Sequence, residues 1–527
     1  MQASKDSNGE KHVAVRRGMT SIEEGRGELQ KAGLLWMTST EVDGADRLYP
    51  HVTINALPDN VLLETFELYL DKDDADQIDY SHDYDGWQTL VHVCRRWRCI
   101  VFASPRRLDL KLYCNRKRSV NSKTLDIWPA LPTVIYAQGM QSKEDVTTLI
   151  TALRQHSRVC KIYYCNGQFQ DVFLKEFAAI DGPFLALTSL KLFSFGKEVP
   201  VLPDSFLGGS APRLRSLDLN GIPYPSIGKL LSSTTNLVRL SLRHIPNSGY
   251  IAPETIVPCL SMLPRLKSLF LGFQYPQSRA HRASRPWNPP LLTPVAFPNL
   301  ASFGFSGNMA YLEDILSLIE TPMLTESYFC FFNQLVFDTP IIGHFICHTK
   351  TFTTFHRARV EFFTWAVVVT LSGQEEMAND DREALRLEIS CEPLDWQLSA
   401  LAQVLNSFLS SLPTVEGLEI AVSREDWQGE VEVTQWRQFL QPFTFVKKLT
   451  LVREDSVQLV APVLQELARE RATGVLPALQ NLFLWTYGWR PSGPLKEAIG
   501  QFVTTQPLHG HPLTVKYWDN KSRKYVQ

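Results

Sequence analysis

One pattern recurs along most of this chain: an apolar residue, two of any kind, a second apolar residue, one of any kind, then a third. It reads Val159/Ile162/Tyr164, Leu187/Leu190/Leu192, Leu214/Leu217/Leu219, Leu237/Leu240/Leu242, Leu266/Leu269/Leu271 and Leu300/Phe303/Phe305. It returns as Val415/Leu418/Ile420, Val446/Leu449/Leu451 and Leu479/Leu482/Leu484. The middle positions stand 28, 27, 23, 29 and 34 residues apart in the first block, then 31 and 33 in the second. A sustained period in this range marks a stack of similar units, because each unit alone cannot bury its apolar side.

A proline stands two residues before the first apolar position six times: Pro212, Pro264, Pro298, Pro322, Pro413 and Pro477. Proline is acceptable at a strand's first residue but not inside a paired strand, so these positions predict strand entries. The segments between read as helices. Over Ser142 to His156, Ser142 can cap with Asp145, and Val146, Leu149, Ile150 and Leu153 share one face. Tyr311–Glu320, Asp395–Leu412 and Val457–Arg471 behave alike. The pattern is the core of the leucine-rich repeat. It predicts an α/β fold, a curved solenoid with a parallel sheet on its concave face. Between residues 306 and 414 the register loosens; Leu324, Tyr328 and Phe329 read as one repeat, and Leu385, Leu387 and Ile389 as another. Gln274–Asn299 reads as a solvated inserted loop, with a docking loop as the alternative.

Lys plus Arg number 53 against 55 Asp plus Glu, so no basic excess points to nucleic acid or an anionic membrane. Nine scattered cysteines make no disulfide framework and favour a reducing compartment. Met1–Met19 has no apolar stretch of signal-peptide type, and the longest apolar run, Phe362–Leu371, is too short to span a bilayer. The expected location is cytoplasmic or nuclear. Residues 1–50 read as mostly disordered, 51–105 as a helical domain with an acidic insertion at 71–86, and 106–527 as the repeat array.

In the helical domain, Pro58 suits a first helical turn, and Val61, Leu62, Phe66 and Leu70 recur at helical spacing. After the acidic stretch, Trp87, Leu90, Val91, Cys94, Trp97 and Val101 predict one apolar helical stripe that Ser104-Pro105 ends. The string Ile54-Asn55-Ala56-Leu57-Pro58-Asp59-Asn60-Val61-Leu62-Leu63-Glu64-Thr65-Phe66 resembles the opening of an F-box. Leu90-Val91-His92-Val93-Cys94-Arg95-Arg96-Trp97-Arg98 resembles its second half. With the repeats behind it, the chain is similar to fungal F-box proteins with degenerate leucine-rich repeats. The resemblance implies a three-helix unit that docks a Skp1-type adaptor, and through it a cullin–RING ubiquitin ligase, while the repeats present a protein substrate. Carried over by motif position, the adaptor-facing set is Leu57, Pro58, Val61, Leu62, Phe66, Leu90, Val93, Cys94 and Trp97. The alternative is a non-catalytic scaffold whose F-box-like cap recruits no ligase.

No phosphate-cradling loop or nucleophile elbow occurs, and His344, Cys347, His348 and His356 lack the paired spacing of a zinc site. The expectation is no catalytic residue, no metal and no cofactor. Substrate contacts are expected from residues that alternate with the strand leucines: Asp218, Arg239, Arg243, Phe270, Glu419, Lys448, Phe483 and Trp485. Their mixed charge favours neither sign of target.

Overall fold

The computed structural model describes residues 54–70, 86–114, 131–140, 142–167, 170–196, 199–275, 294–332, 337, 340–352, 354–373, 384–406, 414–423, 432–469, 475–486, 489–505, 513–519 and 524–526. The segment 1–50, the acidic stretch 71–85, most of the Gln274–Asn299 loop and Pro413 lie outside these residues. The chain divides into two compact units, residues 1–77 and 78–527.

In the first unit a short turn, Ile54–Ala56, leads to the helix Asp59–Leu70. Pro58 precedes it, and its carbonyl accepts from the N–H groups of Val61 and Leu62. A proline there loses no helical hydrogen bond. Leu62 and Phe66, four residues apart, are this helix's buried side chains.

The second unit opens with two helices, Gly86–Val93 and Arg95–Ala103, where one continuous stripe was expected. Cys94 breaks the stripe. Its backbone is extended (φ −157°, ψ 171°), and its thiol accepts from the Trp97 N–H at 3.5 Å. A capping residue in extended backbone starts a new helix and cannot continue the old one. Arg98 ties the two helices by donating from Nε to the Val91 carbonyl at 3.0 Å.

Strands then follow in chain order. The first are β1 (Leu112–Cys114), β2 (Thr133–Met140), β3 (Val159–Gly167), β4 (Ser189–Phe193), β5 (Ser216–Asn220), β6 (Arg239–Ile245) and β7 (Ser268–Phe273). Next come β8 (Val295–Ala296), β9 (Ser302–Gly307), β10 (Ile319–Glu320), β11 (Glu326–Phe331), β12 (Arg357–Phe363), β13 (Ala366–Ser372) and β14 (Leu385–Ser390). The last are β15 (Gly417–Ser423), β16 (Lys448–Val452), β17 (Asn481–Trp485), β18 (Thr514–Asp519) and β19 (Lys524–Val526). All nine apolar triplets fall at strands: β3 to β7, β9, and β15 to β17.

Register turns the triplets into continuous buried rows. Ile162, Leu190, Leu217, Leu240, Leu269 and Phe303 are successive neighbours, as are Tyr164, Leu192, Leu219, Leu242, Leu271 and Phe305. Helices cover this face. Tyr164 stacks on Phe173 of the helix Gln170–Ala178 at 4.1 Å, and Phe305 on Tyr311 of the helix Met309–Leu316 at 5.8 Å. The helix Lys143–Leu153 carries the expected capping box, Ser142 and Asp145 each bonding the other's backbone N–H.

The prolines sit differently from the expectation. Pro212, Pro264, Pro298, Pro322 and Pro477 each stand four residues ahead of a strand, not at its first residue. In each case the residue before the proline accepts, through its carbonyl, from the N–H of the triplet's first apolar residue; Leu214 to Ala211 at 3.0 Å and Leu266 to Leu263 at 3.2 Å are examples. Proline therefore occupies the second position of a hydrogen-bonded β-turn, where its fixed φ is already correct. Stacked turns are tied together: Asn236 and Asn299 donate from Nδ2 to the carbonyls of Pro212 and Pro264.

Among the described residues, seventeen strands form one sheet. Neighbours run β1 to β7, then β9, β11, β14, β13, β12, and finally β15 to β19. The sheet is parallel except at β13 and β19, a departure from the all-parallel expectation. The loose register between 306 and 414 has this cause. After β11 the chain skips two sheet positions to β12, returns antiparallel as β13, then lays β14 beside β11. The apolar run Phe362–Leu371 is this hairpin. Val367, Val368 and Val369 are all buried, as in a strand covered on both faces. The helix Leu394–Asn406 then returns the chain to β15, which pairs with β12.

Candidate partner-binding face

Successive strand residues point to opposite faces, so residues between the buried rows lie on the face away from the helices. One such row crosses the sheet as Tyr163, Lys191, Asp218, Ser241, Phe270, Gly304, Tyr328 and Arg386. A second runs Ser216, Arg239, Ser268, Ser302 and Glu326. A third carries Asn220 with Arg243, then Gly272, Ser306, Cys330 and Glu388.

A groove of about 940 Å³ opens where these rows cross β6 to β14. Its floor is low because the outward residues are small: Ser241, Ser268, Gly272, Ser302, Gly304 and Ser306. Two rings remain on it, Phe270 and Tyr328, stacked at 6.1 Å with an interplanar angle of 21°. Arg243 lies 4.4 Å over Phe270, and Arg386 5.8 Å over Tyr328. Arg243 also donates from Nε to the Ser241 hydroxyl at 3.1 Å, and the Tyr328 hydroxyl donates to Glu388 Oε2 at 2.9 Å. Guanidinium groups over aromatic faces are held in place while keeping N–H donors at their edges.

Asp218 sits at one end of the groove. Its Oδ1 is buried with no hydrogen-bond partner among the described residues. Burial pushes its carboxyl up from the usual range, against the Ser241 hydroxyl and the charges of Arg243, Lys191 and Arg239.

The expected substrate-facing residues separate into two groups. Asp218, Arg239, Arg243 and Phe270 line the one groove. Glu419, Lys448, Phe483 and Trp485 lie farther along the same face, on β15 to β17. Glu419 is buried between two arginines of β12: Arg357 donates to it at 2.7 Å, and Arg359 approaches at 3.5 Å. Phe483 meets Tyr525 edge-on at 4.6 Å, and Trp485 lies 5.3 Å from Trp518. Sequence reasoning missed Gly304, Arg386 and Glu388 as groove residues and used Tyr328 only as a repeat marker. The two walls come from β6 and β14, well over a hundred positions apart, and only register joins them.

Of the set carried over from the F-box resemblance, Pro58 and Val61 in the first unit are exposed, Leu57 is half-buried, and Leu62 and Phe66 are buried. In the second unit Val93 is exposed, Cys94 and Trp97 are half-buried, and Leu90 is buried. Leu68 and Tyr69 add exposed apolar surface to the first unit's helix. His344 and His348 stack at 3.8 Å, but among the described residues no group of three or more His, Cys, Asp or Glu is placed to hold a metal ion. No described helix is long and apolar enough to cross a membrane.

No protein-family model and no curated protein matches the chain. Among solved structures, the chain is similar to the leucine-rich repeat-containing protein LegL7 from Legionella pneumophila. The identity is 14% and the TM-score 0.27, over 65% of this chain and 96% of that one.

Proposed function

We propose that this chain is a non-catalytic recognition subunit of a ubiquitin ligase. Its N-terminal helices dock a Skp1-type adaptor that leads to a cullin, and the open sheet face holds the target protein. The observation that carries this reading is the outward surface of the helix Asp59–Leu70. Val61, Leu68 and Tyr69 are 37%, 73% and 50% exposed, in the segment that resembles an F-box opening. A small helical unit that leaves apolar side chains in water is completed by a partner. Within the carried-over set, the residues that can meet an adaptor are then Pro58, Val61 and Val93, with Leu57, Cys94 and Trp97 at the margin.

The test is co-elution of the full chain with a purified Skp1-type adaptor. Val61→Asp and Val93→Asp change exposed positions, so the helices stay folded while complex formation falls. Undiminished binding in both variants would sink the docking role.

A second reading keeps the fold and drops the ligase: the chain is a non-catalytic protein-interaction scaffold whose F-box-like helices recruit no adaptor. The burial of Leu62, Phe66 and Leu90 favours it, because core residues need no partner. It expects a folded chain that never co-elutes with the adaptor.

A further inference from the structure

The outward residues of β3 to β6 are unbalanced in charge. Lys161, Lys191, Arg239 and Arg243 face the open side, and Asp218 is the one carboxylate among them. Among the described residues, the side chains of Lys161, Lys191 and Arg239 make no hydrogen bond or ion pair, while their backbones belong to the strand ladder. Adjacent strands stand about 4.8 Å apart, and Arg239 is two residues along β6 from Ser241, the residue in register with Lys191 through Asp218, so Lys191 and Arg239 are roughly 12 Å from one another in the sheet. That spacing suits side chains on one extended segment, and it borders the aromatic floor of Phe270 and Tyr328.

We propose that the near wall of the groove, with the adjoining β4 and β5 surface, takes an acidic, extended segment of a partner protein. Its carboxylates meet Lys191, Arg239 and Arg243, and an apolar or aromatic side chain packs on Phe270 and Tyr328. This rests on the reading that the open sheet face binds the target. The cations are held on a rigid sheet, which lowers the entropy lost on binding. The floor serines supply hydroxyls for the bound backbone. A nucleic acid fits worse, because its regular run of phosphates would carry charge past these cations to Glu326 and Glu388 on the far wall, where a short acidic segment can instead set an apolar side chain. The chain's balanced charge offers no wider field to offset that repulsion.

The experiment is fluorescence anisotropy of the full chain with a labelled glutamate-rich peptide carrying a central tryptophan. The comparison is the same peptide with glutamine at every glutamate. The acidic peptide should bind about tenfold more tightly. Lys191→Glu with Arg239→Glu should erase that preference, with the circular dichroism unchanged. Lys175→Glu, at an exposed position of the helix Gln170–Ala178 that covers the other side of the sheet, should leave it intact. Equal binding of both peptides, an equal loss in Lys175→Glu, or tighter binding of a single-stranded oligonucleotide would each overturn the proposal. Proteins retained by the wild-type chain from a host extract separate the two readings. If the peptides do not discriminate but retention is lost with Phe270→Ala, the face binds protein and the acidic class is wrong. If retention is also indifferent to Phe270→Ala, the face reading fails with it.

Discussion

Phe270 occupies the space that a side chain at position 304 would need. A Cβ on Gly304 would stand 2.2 Å from Phe270 Cδ2. Gly304 does not adopt the left-handed backbone that favours glycine, so the ring alone excludes a larger residue there. Gly304→Ala must push Phe270 off the groove floor, away from Tyr328 and from beneath Arg243. The expected cost is about 1–3 kcal/mol, as for other overpacked sites. In a Phe270→Ala background the same change should cost almost nothing, since the two positions share one volume. Urea denaturation of the single and double variants measures this. Equal costs in both backgrounds would show that the ring does not set the choice of glycine.

Glu313 is a buried carboxylate with a structural task. It lies on the helix Met309–Leu316 and accepts from the N–H groups of Ile341 at 3.1 Å and Ile342 at 2.7 Å. These open the helix Pro340–His348, so one helix caps the next across the repeat boundary. A negative group there also meets the positive end of the helix dipole. Glu313→Ala leaves one buried and one half-buried donor short of an acceptor and should cost about 1–3 kcal/mol. Glu313→Gln keeps an acceptor oxygen and should cost less. Hydrogen exchange gives the local readout: the amides of Ile341 and Ile342 should exchange faster in Glu313→Ala. Unchanged protection there would refute the capping role.

The repeats were legible because apolar spacing is local. Each triplet from Val159 to Leu484 predicts its strand without knowledge of any neighbour. Residues alternating with the leucines were legible for the same reason, which is why Asp218, Arg239, Arg243 and Phe270 emerged together. β11 was faint because Ser327 stands in the buried row between Phe303 and Leu385, where the pattern calls for an apolar side chain. β12 and β13 were hidden because their order in space differs from their order in the chain. The second wall of the groove, Tyr328 with Arg386 and Glu388, depends on that pairing and has no local signature. The prolines were found, but their turn geometry depends on a hydrogen bond that spacing alone does not show.

Asp218 predicts a pH dependence of definite sign. Its folded value lies above the ordinary aspartate value of about 3.9, with burial the largest cause. Lys191 on β4, and Arg239, Ser241 and Arg243 on β6, oppose that shift and do not cancel it. A raised carboxyl contributes stability that is fully present below the unfolded value and is lost as pH rises through the folded value. Asp218→Asn removes this titration. The variant's stability relative to wild type should therefore rise as pH climbs from the ordinary aspartate value through Asp218's raised folded value, then level off. Urea midpoints for both proteins across that range provide the check. A relative stability that falls as pH rises would mean that the neighbouring cations outweigh burial.

Phe362 tests how the out-of-order hairpin binds the repeat array together. Its ring is fully buried on β12, 5.9 Å from Trp436 and 6.3 Å from Phe439 of the helix Val433–Leu440. Truncation to alanine should cost about 3–5 kcal/mol, typical of a large buried aromatic. In an array whose repeats contact only their chain neighbours, such a lesion can split unfolding into two steps. Here β14 pairs with β11 while β12, earlier in the chain, pairs with β15. The segments on either side of the lesion are thus interleaved in the sheet, and neither block can leave without pulling strands from the other. Phe362→Ala should lower one cooperative transition, with tryptophan fluorescence and far-ultraviolet circular dichroism moving together. Two separate transitions in the variant would show that the hairpin is a boundary between independent blocks and not the link between them.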